Sequence, residues 1–338
     1  MHAKKLFILA FLCITIVTNG QKITRSDLKL LQNIEDTLTP YARKMIFGED
    51  PLNRFEADSA FVKILVRALK IPNSFYYPFD SINTVSMLYP PDSSFRIFTW
   101  QLERDESYYR HHGALQMRTA DGSLKIFPLI DVSEYTEDPV DSIRNNSNWI
   151  GAIYYGIVMK EFKSKKYYTL LGYDDYSFES TRKWLDMLTF DNNGNPQFGG
   201  RYFDYAEDSL KPAQPAYRFL LEYKKDARAR MNYDPEMDMI IFDHLISETN
   251  ESQKKFTLIP DGDYEGFKWQ NGKWVHVDKV FTFKLNDGEA PVPAPLLDAS
   301  GKADENKLTE QSKKNSQKEP SPKKPGRLKA IDDLQDYY

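Results

Sequence analysis

Between residues 85 and 277 the chain repeats one local pattern: a short run rich in β-branched and aromatic residues, then a turn. Pro90-Pro91-Asp92-Ser93 turns into residues 95–102, which alternate strongly. Residues 114–118 and 124–129 flank Asp121-Gly122, and residues 267–270 and 273–277 close on Asn271-Gly272. Both dipeptides favour hairpins, because Gly enters the left-handed region at no steric cost. Residues 150–162 and 167–173 are joined by a short Lys/Ser turn, and Phe190 and Phe198 bracket Asp191-Asn192-Asn193-Gly194-Asn195-Pro196. Further runs at 217–223, 229–233 and 238–242 complete about a dozen strands. Residues 181–188 read equally as helix or strand.

Parallel sheets need crossover helices between strands, and this region has none. The expectation is therefore a mainly β fold, an antiparallel meander built as a propeller-like array, a sandwich or a large twisted sheet. Residues 23–70 differ. Thr24 or Ser26 caps a helix whose stripe is Leu28, Leu31, Ile34 and Leu38; Thr39-Pro40 reads as a fresh start, Gly48 as a stop, and Asp50-Pro51 as another start. These helices have one apolar side each, so the helical segment 21–74 should pack on the β-rich domain 75–289.

The two ends read as non-domain segments. Lys4 and Lys5 precede an apolar run over 6–17, and Thr18-Asn19-Gly20 offers small residues before a cut at Gln21, the pattern of a signal peptide over 1–20. Cleavage would remove Cys13, the chain's one Cys, excluding disulfides, thiol catalysis and thiolate metal sites in the mature protein. No other segment is apolar enough to span a membrane. Residues 290–338 form a Pro/Lys-rich tail, expected to be disordered, with nine basic and eight acidic residues. Within it Leu328, Ile331, Leu334 and Tyr338 recur at helical spacing, which makes them candidates for docking an envelope protein partner.

A mature balance of 43 basic to 49 acidic residues argues against nucleic acid as a partner. No phosphate-binding glycine loop, His-Glu-x-x-His or Gly-x-Ser-x-Gly motif is present, and no cofactor or metal is implied. Asp191–Asn195 lacks the spacing of a calcium loop and reads as a turn. His111 and His112 would face opposite sides of a strand, and they read better as part of a loop-borne Tyr/His patch; His276 reads as solvent-facing. The catalytic candidates are Asp243 and His244, adjacent at a strand end, and Asp261 and Asp263, which in extended backbone would share a face.

The strings Phe95-Arg96-Ile97-Phe98-Thr99-Trp100, Tyr168-Thr169-Leu170-Leu171-Gly172-Tyr173-Asp174, Ile241-Phe242-Asp243-His244-Leu245, Pro260-Asp261 and Gly272-Lys273-Trp274 resemble a group of exported, uncharacterised proteins of Bacteroidota. The resemblance covers most of residues 21–280. It implies export and a β-rich body, and it carries no activity. The expected role is that of a non-catalytic binding or scaffold protein in the periplasm or cell envelope of a Gram-negative bacterium. The alternative is an envelope hydrolase using the four Asp/His candidates.

Overall fold

The computed structural model of the protein describes residues 23–105, 107–281 and 309–310. The leader at 1–20 and the docking candidates Leu328, Ile331, Leu334 and Tyr338 lie outside the described residues, as does nearly all of the tail. No helix among the described residues is long and apolar enough to cross a membrane.

Two helices open the chain, α1 (Arg25–Phe47) and α2 (Pro51–Leu69). Thr24 caps α1 by accepting from the Asp27 amide, and Gly48 closes it. Asp50 caps α2 by accepting from the Leu52 amide, with Pro51 at the first helical position. The expected break at Thr39-Pro40 does not occur; α1 runs through Pro40. Thr39 Oγ1 donates to the Glu35 carbonyl (2.9 Å), and the flanking turns bury Leu38, Ala42 and Met45. Tertiary packing outweighs the roughly 3 kcal/mol that an internal proline costs an isolated helix.

Three sheets follow. The first takes the order β1 (Ser86–Leu88), β2 (Phe95–Asp105), β3 (Tyr108–Met117) and β4 (Lys125–Ile130). The second contains β5 (Arg144–Asn145), β6 (Ile153–Phe162), β7 (Lys165–Asp174), β8 (Ser180–Phe190) and β9 (Pro196–Phe198) in the order β5-β9-β8-β7-β6, with β11 (Phe219–Lys224) also paired to β8. The third has the order β10 (Phe203–Asp204), β15 (Lys273–Val277), β14 (Leu258–Gln270), β13 (Met239–Ser247) and β12 (Met231–Asp234). Among the described strands pairing is antiparallel except at β10–β15, and an isolated parallel bridge joins Asp131 to Trp149. The fold is thus mainly β with the helices packed on it, as the turn pattern predicts. The ambiguous residues 181–188 are the interior of β8. Buried on both faces, that strand lacks the alternation that would have marked it.

The layers stack in chain order through three cores. The helices meet one face of the first sheet through Leu31, Leu38, Phe61 and Leu65 against Phe98, Trp100 and Leu102. Its other face, with Phe95, Ile97 and Leu115, meets Tyr168, Leu170, Trp184 and Leu188 of the second sheet. The far face of the second sheet, with Leu171, Leu185, Met187, Phe219 and Tyr223, meets Ile240, Phe242, Phe267 and Trp274 of the third. Each such buried ring or branched chain contributes about 1.5–3 kcal/mol. The rings at 14% of the sequence go largely into these cores.

Polar ties cross every layer boundary. Asp58 of α2 accepts from Trp100 Nε1 (2.8 Å) and contacts His112 Nδ1 (3.0 Å). Thr99 Oγ1 of the first sheet accepts from the Tyr154 amide of the second (2.9 Å). Trp274 Nε1 of the third sheet donates to Thr169 Oγ1 of the second (2.8 Å).

Candidate functional site

Asp243 and His244 lie on β13, and Asp261 and Asp263 on β14. The two strands pair in regular register from Met239↔Lys268 to Asp243↔Tyr264, and then the register jumps to Leu245↔Pro260. His244 therefore stands opposite an extra Asp261-Gly262-Asp263 segment. Gly262 adopts φ +95°, which lets that segment loop out of the ladder. The expected extended backbone, with both carboxylates on one face, is absent for this reason.

The bulge re-aims each side chain differently. Asp261 Oδ1 accepts from the Asp263 amide (3.0 Å), and Asp261 Oδ2 lies 2.8 Å from His244 Nδ1. Asp263 turns away and pairs with Lys279 Nζ (2.8 Å). Asp243 accepts from the Arg230 amide (2.6 Å). Of the four candidates, the structure thus brings His244 and Asp261 into contact and leaves Asp243 and Asp263 with other partners. Burial disfavours the charge on Asp261, but the Asp263 amide and His244 outweigh it and hold the carboxyl below its usual range.

Glu265 extends the pair into a chain of charges. His244 Nε2 lies 3.7 Å from Glu265 Oε1, while Glu265 Oε2 contacts His276 Nε2 (2.5 Å) and Lys211 Nζ (3.0 Å). His276 Nδ1 continues to Asp278 (3.0 Å). Burial would raise the Glu265 carboxyl, but His276 and Lys211 hold it down. His276 consequently does not face solvent; its side chain is 7% exposed, because it shares the inward face of its cross-strand partner Phe267. These contacts fix the orientation of both imidazoles. Among the described residues, no hydroxyl nucleophile is hydrogen-bonded to His244 and no group of acid, His or Cys side chains is arranged to hold a metal ion.

A second histidine site lies between the first two sheets. His111 and His112 are in strand β3, not in a loop, and they point to opposite faces as the alternation requires. His111 is 2% exposed. Its Nδ1 lies 3.4 Å from Asp131 Oδ2 and its Nε2 lies 3.5 Å from Asp174 Oδ1. These separations exceed a good hydrogen bond, so charge attraction dominates the contact. Burial opposes the imidazolium, yet Asp174 and Asp131 together raise His111 above its ordinary pKa. Asp131 is held low despite burial by His111 and Ser133, whereas burial leaves Asp174 raised against the pull of His111.

A third cluster joins the second and third sheets. Lys183 of β8 is only 6% exposed and sits on the same strand face as Leu185 and Met187. Its Nζ lies 4.9 Å from the Tyr155 ring centre and 5.9 Å from that of Tyr173. Burial pushes its amine down to about 8, against the opposing charge of Asp243. Asp243 is itself raised, by burial, against the Arg230 amide, Arg230 and Lys183. Tyr173 donates to Asp175 (2.7 Å), and Tyr155 donates to the Met231 carbonyl (2.7 Å).

Glu265, Asp131, Asp174 and Lys183 belong to no sequence motif. Parity would have found two of them: Glu265 shares the inward face of Phe267, and Lys183 that of Leu185. No family model, no curated protein and no solved structure matches this chain.

Proposed function

We propose that the chain is an exported protein of a Gram-negative cell envelope that acts as a non-catalytic binding or scaffold protein. The observation that carries this reading is that the acid and base groups singled out in the sequence are engaged by neighbouring protein groups: Asp261 by His244, Asp263 by Lys279, Asp243 by the Arg230 amide. A general acid or base must have an atom facing substrate. Export rests on the leader pattern and on the resemblance to exported Bacteroidota proteins. The tail, with Leu328, Ile331, Leu334 and Tyr338, is proposed as the tether for an envelope partner.

The second reading, an envelope hydrolase, draws on the 2.8 Å contact between His244 and Asp261 and its continuation to Glu265. One experiment separates the two. Fractionated cells and the purified protein are assayed on a panel of glycoside, ester and peptide substrates, with wild type beside Asp261→Asn. The scaffold reading expects envelope localisation and no turnover. Turnover that disappears in the Asp261→Asn protein establishes the hydrolase instead.

A further inference from the structure

The Lys183 amine has no role in the binding or scaffold reading. A lysine at an inward-facing position of a core strand is unusual, because an ammonium loses its hydration there. Among the described residues its Nζ makes no hydrogen bond and no ion pair. What surrounds it is a convergence of five strands: Tyr155 from β6, Tyr173 from β7, Lys183 itself from β8, Tyr223 from β11 and Asp243 from β13. The titratable groups around it are therefore three tyrosines, Asp243, and Asp175 behind Tyr173. The ring faces at 4.9 and 5.9 Å favour the ammonium only modestly, and burial outweighs the pull of the Asp243 charge.

We propose that Lys183 is a carbonyl-reactive site, whose Nζ forms a reversible imine with small aldehydes. A buried amine beside aromatic walls is the setting in which lysine becomes a nucleophile at neutral pH. The unprotonated Nζ attacks the carbonyl carbon, forming a C–N bond as the carbonyl π pair moves to oxygen. The carbinolamine then loses that oxygen as water, which carries away both amine protons, and the nitrogen lone pair closes the C=N bond. No oxidant or reductant is needed. Asp243 acts as a positioning residue: its charge sets how readily Nζ keeps its proton.

The test is reductive trapping on the full chain. Limiting formaldehyde and cyanoborohydride are added between pH 6 and 9, hydride from the borohydride fixes the imine as a secondary amine, and peptide mass spectrometry locates it. With its amine pushed down to about 8, Lys183 carries a much larger free-amine fraction at pH 8 than a lysine at the ordinary value of about 10.4. The expected result is labelling of Lys183 at least tenfold ahead of exposed Lys254 and Lys224 in the folded protein, with the preference abolished in urea. Labelling of Lys183 no faster than these, with the chain folded, overturns the proposal. Lys183→Met should delete that one labelled peptide and leave the others. Asp243→Asn should move the pH midpoint of labelling downward, and an unmoved midpoint overturns the role given to Asp243. Since hydrolase assays do not enter, this result stands or falls separately from the binding reading.

Discussion

Replacing His111 with Gln removes a cation that faces two buried carboxylates, Asp131 and Asp174, each with a side chain only 7% exposed. Breaking a buried ion pair from one side costs about 3–5 kcal/mol, because the abandoned charge keeps its desolvation penalty. That is a large part of the 5–15 kcal/mol by which a domain is typically stable. The pH dependence has a definite sign. His111 is raised in the folded state, so its contribution is fully present below the ordinary imidazole pKa of about 6.5 and is lost as pH rises through the folded value. Urea unfolding, followed by tryptophan fluorescence at pH 6 and at pH 9, reads this directly. Trp149 serves as a local reporter, with its ring centre 6.5 Å from that of His111. The gap between wild type and His111→Gln should be widest at pH 6 and should narrow at pH 9. Equal stability at pH 6, or a gap that does not change with pH, refutes the charge-based account of this junction.

Two further substitutions test the layer geometry. Gly272→Ala should lower stability by about 1–2 kcal/mol, because φ is +85° there and the added Cβ would lie 2.6 Å from Phe162 Cδ1; a thermal melt checks it. Trp274→Phe removes the 2.8 Å bond to Thr169 between the second and third sheets, and chemical denaturation should show a loss of about 1–3 kcal/mol.

The hairpins were legible because their turn chemistry is local. Asn271 and Gly272 both take positive φ, as a type I′ turn demands, and the β14–β15 ladder closes on them with Gln270 opposite Lys273. Lys163 and Ser164 take the same conformation between β6 and β7, with no glycine to announce it, so the exact turn was hidden although the hairpin was not. The continuity of α1 through Pro40 and the identity of β8 were not legible. Both depend on neighbours far along the chain: Pro40 lies in a helix packed on α2 and the first sheet, and β8 is covered on both sides by other sheets. Local propensity carries no information about such cover.

The site was less legible than the fold, for a related reason. Motif searching weighs residues by type and spacing, and it selected Asp243, His244, Asp261 and Asp263 from near neighbours in sequence. The bulge at His244 then divides them: it joins His244 to Asp261 and leaves Asp243 and Asp263 with other partners, since a register jump re-aims the side chains beside it. The buried charges that matter in this protein come from distant segments, as His111, Asp131 and Asp174 do. Hydrophobic burial is non-directional and leaves two stacked sheets free to slide or rotate, whereas a hydrogen bond or ion pair fixes one arrangement. Asp58 with Trp100, His111 with Asp131 and Asp174, and Trp274 with Thr169 occupy the three successive boundaries between layers, so each boundary has its own polar lock. Among the described residues, the Lys183 amine between the second and third sheets makes no hydrogen bond or ion pair, so it is not one of these locks.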